Sequence, residues 1–122
     1  MFATAPSVIG QIRAGTVRAL ALTGDERSRA LPDIPTLKEK GLASFDSGSW
    51  FGLFAPKGTP APVIEAINAA VNEAFRDPAL QAKLIGNGAD PMGGTPERFA
   101  TFVKSEIDKW TPIIRKAGVY AE

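Results

Sequence analysis

The stretch Trp50–Asn68, WFGLFAPKGTPAPVIEAIN, contains the change of pattern that decides the fold. Its first six residues are apolar or glycine, which is typical of a strand, and a proline and a glycine then end that strand. Gly52 lies inside the predicted strand, where glycine usually marks a bulge or the close approach of another part of the chain. Thr59 before Pro60 predicts a helix N-cap followed by proline at the first helical position.

Three helices are predicted downstream, and each begins with a capping residue followed by proline. The three pairs are Thr59-Pro60, Asp77-Pro78 and Thr95-Pro96. Apolar residues recur at helical spacing after each pair, so that each helix has one apolar face. The faces comprise Val63, Ile64, Ile67, Val71, Ala74 and Phe75, then Leu80, Leu84 and Ile85, then Phe99, Phe102, Val103, Ile107 and Trp110. Pro112 is predicted to kink or break the last helix.

Upstream of Trp50, the pattern predicts a short helix, a strand and a turn-rich excursion. Capping hydroxyls and a proline precede the helix, which Gly15 ends. Val17–Thr23 is the predicted strand, apolar on both faces at its centre. The excursion covers Gly24–Pro35, and Thr36 then caps a predicted helix of one turn, Leu37–Lys40.

Two strands and several helices with apolar faces make a poor closed domain. A two-stranded sheet is marginal alone, and such helices need a sheet or other helices to cover them. Two interpretations are open on pattern alone. Either this is a partial chain whose missing portion supplies strands, or it is a small α+β domain that closes on itself or pairs with a copy.

The composition excludes several classes of protein. The 122 residues are 44% hydrophobic and 22% charged, which is typical of globular chains. The net charge of +1 is too small for an electrostatic nucleic-acid binder. The sequence contains neither cysteine nor histidine, which excludes disulfides, thiolate nucleophiles, histidine triads and metal sites built on these residues. No secretory signal is predicted in Met1–Gly10, and no apolar run is long enough to span a membrane.

No motif predicts a catalytic residue, a cofactor or a metal. The glycine-rich turns Gly86–Gly88 and Gly93–Thr95 lack the Lys-Ser/Thr of a phosphate-binding loop. The charge run Asp25–Arg29 is predicted to be a solvated turn, and the acidic residues of the helices are predicted to be solvated as well. The helix start at Phe2–Ser7 suits a carboxylate, with ordinary capping as the alternative. Trp50 is predicted to line a cleft or to pack in the strand.

Several segments, in order, resemble one known family. They are MFATAPSVIGQIRAGTVRALALTG, ERSRALPDIPTLKEKGL, WFGLFAPKGTPAPVIEAIN and GADPMGGTPERFATFVKSEIDKW. Together they are similar to the carboxy-terminal part of the Bug-type solute receptors, the substrate-binding proteins of tripartite tricarboxylate transporters. The most specific pieces are LPDIPTL at Leu31–Leu37 and WFGLFAP at Trp50–Pro56.

The resemblance implies a fold and a division of the chain. The fold is α/β, part of a type II periplasmic binding protein, whose two lobes close on a small organic carboxylate. Residues 1–49 then belong to the second lobe, 50–58 form the hinge strand returning to the first lobe, and 59–122 form carboxy-terminal helices of the first lobe. It also implies a periplasmic, non-enzymatic receptor without cofactor, whose partners are the membrane subunits of the transporter.

The resemblance also implies a set of ligand-binding residues. They are Phe2, Ala3, Thr4 and Ser7 in the second-lobe loop, together with Trp50 at the hinge. Many members have a polar or acidic residue where Ala3 stands. Two other functions remain open: a small self-associating interaction domain that binds no ligand, and a carboxylate-dependent enzyme.

Overall fold

The computed structural model describes residues 1–42 and 47–119. Four helices are present in these ranges: α1 (Ala5–Arg13), α2 (Ala61–Ala74), α3 (Pro78–Gly86) and α4 (Pro96–Ala117). The helix predicted after Thr4 and the three predicted after the cap-proline pairs are thus confirmed. The polar loop at 44–49 lies partly outside the described residues. No helix in the described part of the chain is both long and apolar enough to cross a bilayer.

The two predicted strands are not strands in the structure. Among the described residues the pairing is limited to one isolated parallel bridge, between Leu22 and Thr36. There, the Leu22 N–H donates to the Pro35 carbonyl at 2.8 Å, and the Leu37 N–H donates to the Leu22 carbonyl at 2.8 Å. An extended segment becomes a strand only when a neighbouring segment binds its backbone groups, and no described segment does so for residues 50–55.

Residues 50–54 nevertheless keep the period of two that a strand has. The alternate residues Trp50, Gly52 and Phe54 all lie against Phe99 of α4. A Cβ built at Gly52 would lie 2.1 Å from the Phe99 ring, which confirms the predicted close approach. The segment therefore packs one face on α4, while its other face, at Phe51 and Leu53, stays exposed.

The helix starts agree with two of the three predicted caps. The Asp77 side chain accepts a hydrogen bond from the Ala79 N–H at 2.9 Å, and the Thr95 hydroxyl accepts one from the Arg98 N–H at 3.2 Å. The third cap is wrong by one residue, because α2 begins at Ala61 and Pro60 occupies the N-cap. The Thr59 hydroxyl instead donates to the Pro56 carbonyl at 2.8 Å.

The predicted break at Pro112 does not occur. α4 continues through Pro112 to Ala117 and ends at Gly118, whose φ is 67°. A proline removes one N–H from the hydrogen-bond ladder, whereas the turns on either side keep theirs. The cost is local, and α4 is one continuous helix from Pro96 to Ala117.

The charge run of the excursion is solvated, as predicted, since Asp25, Glu26, Arg27 and Arg29 are all exposed, and two of these residues also form ion pairs. Arg27 Nε lies 3.0 Å from both carboxylate oxygens of Glu39. Glu39 also accepts from the Thr36 N–H at 2.7 Å, while the Thr36 hydroxyl accepts from the Glu39 N–H at 3.1 Å, an arrangement known as a capping box. The Arg27 guanidinium holds the pKa of Glu39 below its ordinary value. Residues 37–40 form hydrogen-bonded turns rather than the predicted helix.

Two further contacts join the amino-terminal half of the chain to the end of α3. Arg29 pairs with Asp90 at 2.6 Å, and Arg13 donates to the Gly86 carbonyl at 2.8 Å. Both pairs are separated by more than sixty residues in sequence. Both contacts are exposed, and they join α1 and the excursion to the end of α3.

The described residues enclose almost no core. Within them, the buried hydrophobic side chains are Ile9 and Leu31. The accessible surface is 9448 Å², whereas a folded monomer of 12.9 kDa exposes about 6,300 Å². The predicted apolar faces are uncovered in places, with Ile107 of α4 58% exposed. A domain that closes on itself is therefore not the structure observed.

Candidate functional site

A small concave surface forms where three separate segments meet. The concavity has a volume of about 240 Å³ and is open to solvent. The amino-terminal segment, the end of residues 17–23 and the polar loop before Trp50 contribute its lining, which consists of Phe2, Ala3, Thr4, Thr23, Ser47 and Ser49. We call this surface the hydroxyl wall, because four of these residues carry hydroxyl groups. Three of the predicted binding residues, Phe2, Ala3 and Thr4, thus lie together.

Ser7 does not line the hydroxyl wall but contacts it through Thr4. The Ser7 hydroxyl donates to the Thr4 carbonyl at 2.8 Å and accepts from the Thr4 hydroxyl at 3.2 Å. The Ser7 N–H also donates to the Thr4 carbonyl, at 3.0 Å. The Thr4 side chain accepts no capping hydrogen bond from α1, although Thr4 is the N-cap residue. Ser7 therefore orients Thr4 at the edge of the wall.

Trp50 does not line the hydroxyl wall but lines a larger groove of 610 Å³. Ser47 and Ser49 line both surfaces, so the two adjoin. The floor of this groove is α4, which contributes Val103, Glu106, Ile107, Trp110, Thr111 and Ile114. The Trp50 ring makes edge contacts with Phe99 and Phe102, at centroid distances of 5.8 and 5.3 Å. Trp50 therefore attaches the segment 50–54 to α4.

Glu106 joins the two tryptophans of the chain. Its Oε2 accepts from Trp50 Nε1 at 3.3 Å and from Trp110 Nε1 at 3.1 Å, and its Oε1 pairs with Lys109 Nζ at 2.5 Å. The Glu106 side chain is 13% exposed, so the prediction of a solvated acid is wrong for Glu106, whereas the other helical acids are exposed as predicted. The Lys109 ammonium lowers the pKa of Glu106, and the two indole N–H groups act in the same direction. Lys109 and Trp110 follow Glu106 by three and four residues, so the helical spacing alone could have predicted these contacts.

Protonation of Glu106 is expected to weaken its hydrogen bonds with Trp50 and Trp110, in a single step as the pH is lowered. Because the pKa of Glu106 is lower in the folded chain than its ordinary value of 4.5, Glu106 stabilises the fold at pH above that value. That stabilisation is lost as the pH falls through the lowered pKa. Intrinsic fluorescence should report the step directly, since Trp50 and Trp110 are the only tryptophans.

The matched variants are Glu106→Gln and Glu65→Gln, of which Glu65 lies on the exposed surface of α2. The fluorescence step below pH 4.5 should disappear in Glu106→Gln and persist in Glu65→Gln. A step that both variants retain would mean that another group drives it.

The hydroxyl wall has the chemistry of a hydrogen-bonding surface. None of its six lining residues has an ionisable side chain. Threonine and serine hydroxyls donate to anionic oxygens and accept from hydroxyl ligands. Within residues 1–42 and 47–119, no three acidic side chains cluster as a metal site would require. Sequence reasoning missed Thr23, Ser47 and Ser49 as lining residues. All three end or precede predicted strands, where binding loops commonly lie.

Comparison with known proteins adds three observations. The family described as "Tripartite tricarboxylate transporter family receptor" matches residues 1–119. Protein BugT of Bordetella pertussis is 36% identical over 113 residues, which cover 93% of this chain and 35% of BugT. The chain therefore spans about a third of the length of that relative.

Solved structures share the fold at similar sequence identity. Rpa4515 of R. palustris, solved with adipate, superposes with a TM-score of 0.83 at 32% identity, over 93% of this chain and 38% of that one. MatC of Rhodopseudomonas palustris, solved with bound malate, superposes with a TM-score of 0.75 at 35% identity, over 89% of this chain and 38% of that one. The predicted fold class, a partial α/β periplasmic-binding-protein fold, is thereby confirmed.

Proposed function

The chain belongs to the tripartite tricarboxylate transporter receptor family, and from this premise we propose that its hydroxyl wall binds a small organic carboxylate. One observation carries the proposal. Three of the five residues that the family resemblance implies as contacts, Phe2, Ala3 and Thr4, line a concave surface together with further hydroxyl groups. The adipate and malate bound in Rpa4515 and MatC support a carboxylate as the ligand class.

The wall would hold the ligand by hydrogen bonds rather than by an ion pair. The Thr4 hydroxyl is the first proposed donor. In the free chain it donates to the Ser7 hydroxyl at 3.2 Å, and on binding it would turn to a carboxylate oxygen. Thr23 and Ser49 line the same concave surface, and we propose their hydroxyls as two more donors. Hydrogen bonds to a charged group are about twice as strong as those between neutral groups, so a few hydroxyls suffice for recognition. Trp50 contributes from the adjoining groove by holding the loop that carries Ser49.

The open side of the wall supports a two-lobed arrangement. We assign residues 1–49 to the second lobe, 50–58 to the hinge and 59–122 to helices of the first lobe. A single wall leaves much of its ligand exposed, whereas binding sites usually enclose most of it. The 122 residues alone should therefore bind weakly, and a second wall would supply the enclosure that gives high affinity.

The proposed setting follows from the family. The receptor would capture its carboxylate in the periplasm and deliver it to the membrane subunits of a tripartite transporter. A carboxylate-dependent enzyme is the less favoured alternative, because none of the described residues that line the hydroxyl wall is acidic.

The Thr4→Val substitution should weaken carboxylate binding about tenfold, because it removes a hydroxyl donor while keeping the side-chain volume. The matched control is Thr16→Val, which alters an exposed threonine outside the wall, whose hydroxyl donates to the Gln11 carbonyl. Ligand-observed NMR titration with adipate measures both affinities. Equal affinities for the two variants would remove Thr4 from the site.

A further inference from the structure

The carboxy-terminal end of α3 contacts both ends of one face of α1. Ala5, Ile9 and Arg13 follow one another at intervals of four residues, so they share that face, and Ile9 is buried. At one end of the face, the Arg13 guanidinium donates to the Gly86 carbonyl at 2.8 Å. Gly86 is the last residue of α3, where backbone carbonyls lack partners within the helix. This hydrogen bond therefore joins the ends of two helices.

Gly88 lies against the other end of the same face. A Cβ at residue 88 would lie 3.1 Å from Ala5 Cβ, 3.2 Å from the Ala5 carbonyl carbon and 3.3 Å from the Pro6 nitrogen. Carbon atoms in contact normally lie about 3.5–4.0 Å apart. A side chain at residue 88 would therefore displace the start of α1.

The start of α1 carries the first proposed donor of the hydroxyl wall. Thr4 directly precedes Ala5, the first residue of α1. The Thr4 carbonyl accepts from the Ser7 N–H at 3.0 Å and from the Ser7 hydroxyl at 2.8 Å, which ties it to the first turn of the helix. The position of Thr4 therefore follows the position of α1.

We propose that the end of α3 braces the hydroxyl wall, and that Gly88 is a positioning residue for carboxylate binding. The inference rests on the proposed function of the wall. Gly88 is not among the described residues that line the wall, so it acts through Ala5 on Thr4. Because hydrogen bonds require a well-fixed donor, a shift of Thr4 by a fraction of an ångström weakens recognition.

The Gly88→Ala substitution tests the brace, and Gly118→Ala is its matched control. Both glycines follow a helix with positive φ, 81° at Gly88 and 67° at Gly118, but a Cβ at residue 118 meets no heavy atom within 4 Å. The two substitutions therefore impose similar backbone strain, and only Gly88→Ala displaces α1. Gly88→Ala should weaken adipate binding about fivefold, whereas Gly118→Ala should bind as the wild type does. Titration followed through backbone amide shifts measures the affinities.

A double variant separates the contact from the backbone strain. Adding Ala5→Gly to Gly88→Ala removes the Ala5 Cβ, the nearest atom to the new side chain, and leaves the positive φ at residue 88 unchanged. The double variant should recover about half of the lost binding free energy, measured against Ala5→Gly alone. A loss of affinity caused by strain alone would not recover.

A further variant tests the brace from its other end, in case Gly88→Ala does not fold by circular dichroism. Arg13→Met removes the hydrogen bond to Gly86 and keeps an apolar side chain of similar reach. It should weaken adipate binding about threefold relative to Arg76→Met, the control at an exposed arginine between α2 and α3.

The brace and the proposed function fail in different ways. A wild-type chain that gives no saturable adipate shifts would contradict the proposed function. Wild-type binding with equal affinities for Gly88→Ala and Gly118→Ala, or with no recovery in the double variant, would overturn the brace alone. Equal affinities for Arg13→Met and Arg76→Met would also overturn it.

Discussion

Replacing Gly52 with valine should destabilise the chain more than any other single substitution at a glycine. A Cβ at residue 52 would lie 2.1 Å from Phe99 Cζ and 2.8 Å from Cε1, far inside van der Waals contact. The Phe99 ring has little room to move, because it contacts Trp50, Phe54 and Phe102 at centroid distances of 5.8, 5.2 and 6.4 Å. Overpacking of this kind costs about 1–3 kcal/mol, and the two extra methyl groups of valine place the effect at the upper end.

The control for this substitution is Gly10→Ala. Gly10 lies within α1, and a Cβ there meets no heavy atom within 4 Å. Alanine should therefore stabilise the helix by up to about 1 kcal/mol. Urea unfolding followed by circular dichroism compares the free energies of unfolding. Gly52→Val with wild-type stability would show that residues 50–54 do not pack on α4 as described.

Removing the Phe99 ring should have the second-largest effect on stability. Phe99→Ala deletes the side chain that Trp50, Gly52 and Phe54 share. Truncating a fully buried phenylalanine costs about 3–5 kcal/mol, and Phe99 is partly exposed, so about 2 kcal/mol is expected. The emission of Trp50 should also shift to longer wavelength, because its indole loses an edge contact and gains water.

Phe2→Ala is the matched control, since the Phe2 side chain is 90% exposed. That substitution should change the free energy of unfolding by about 0.5 kcal/mol or less. If the two phenylalanine variants unfold at the same urea concentration, the aromatic cluster does not hold segment 50–54 on α4.

The helices were predictable because their signals are local. Asp77 and Thr95 cap their helices through side chains that lie within three residues of the N–H groups they bind. Thr59 was predicted as a cap from the same local pattern, but its hydroxyl donates to the Pro56 carbonyl, and Pro60 is the N-cap residue. The strands at Val17–Thr23 and Trp50–Ala55 were not realised, since a strand depends on a distant segment that binds its backbone. The glycine inside the apolar segment did predict a close approach, which the structure shows between Gly52 and Phe99.

The candidate site was predictable only in part. Phe2, Ala3 and Thr4 follow from the family resemblance, because they are consecutive and match one loop. Thr23, Ser47 and Ser49 join them through the tertiary fold, which no local pattern specifies. Glu106 was misinterpreted for a related reason: its burial depends on Trp50, fifty-six residues away in sequence.

The central claim is that the hydroxyl wall recognises a small carboxylate. Titration of the isotopically labelled chain with adipate, followed through backbone amide shifts, tests it most directly, with the neutral diamide of the same length as the control. We predict saturable shifts at Ala3, Thr4, Thr23 and Ser49 that the diamide does not reproduce. Adipate shifts that are absent from these four amides, or that the diamide matches, would contradict the claim.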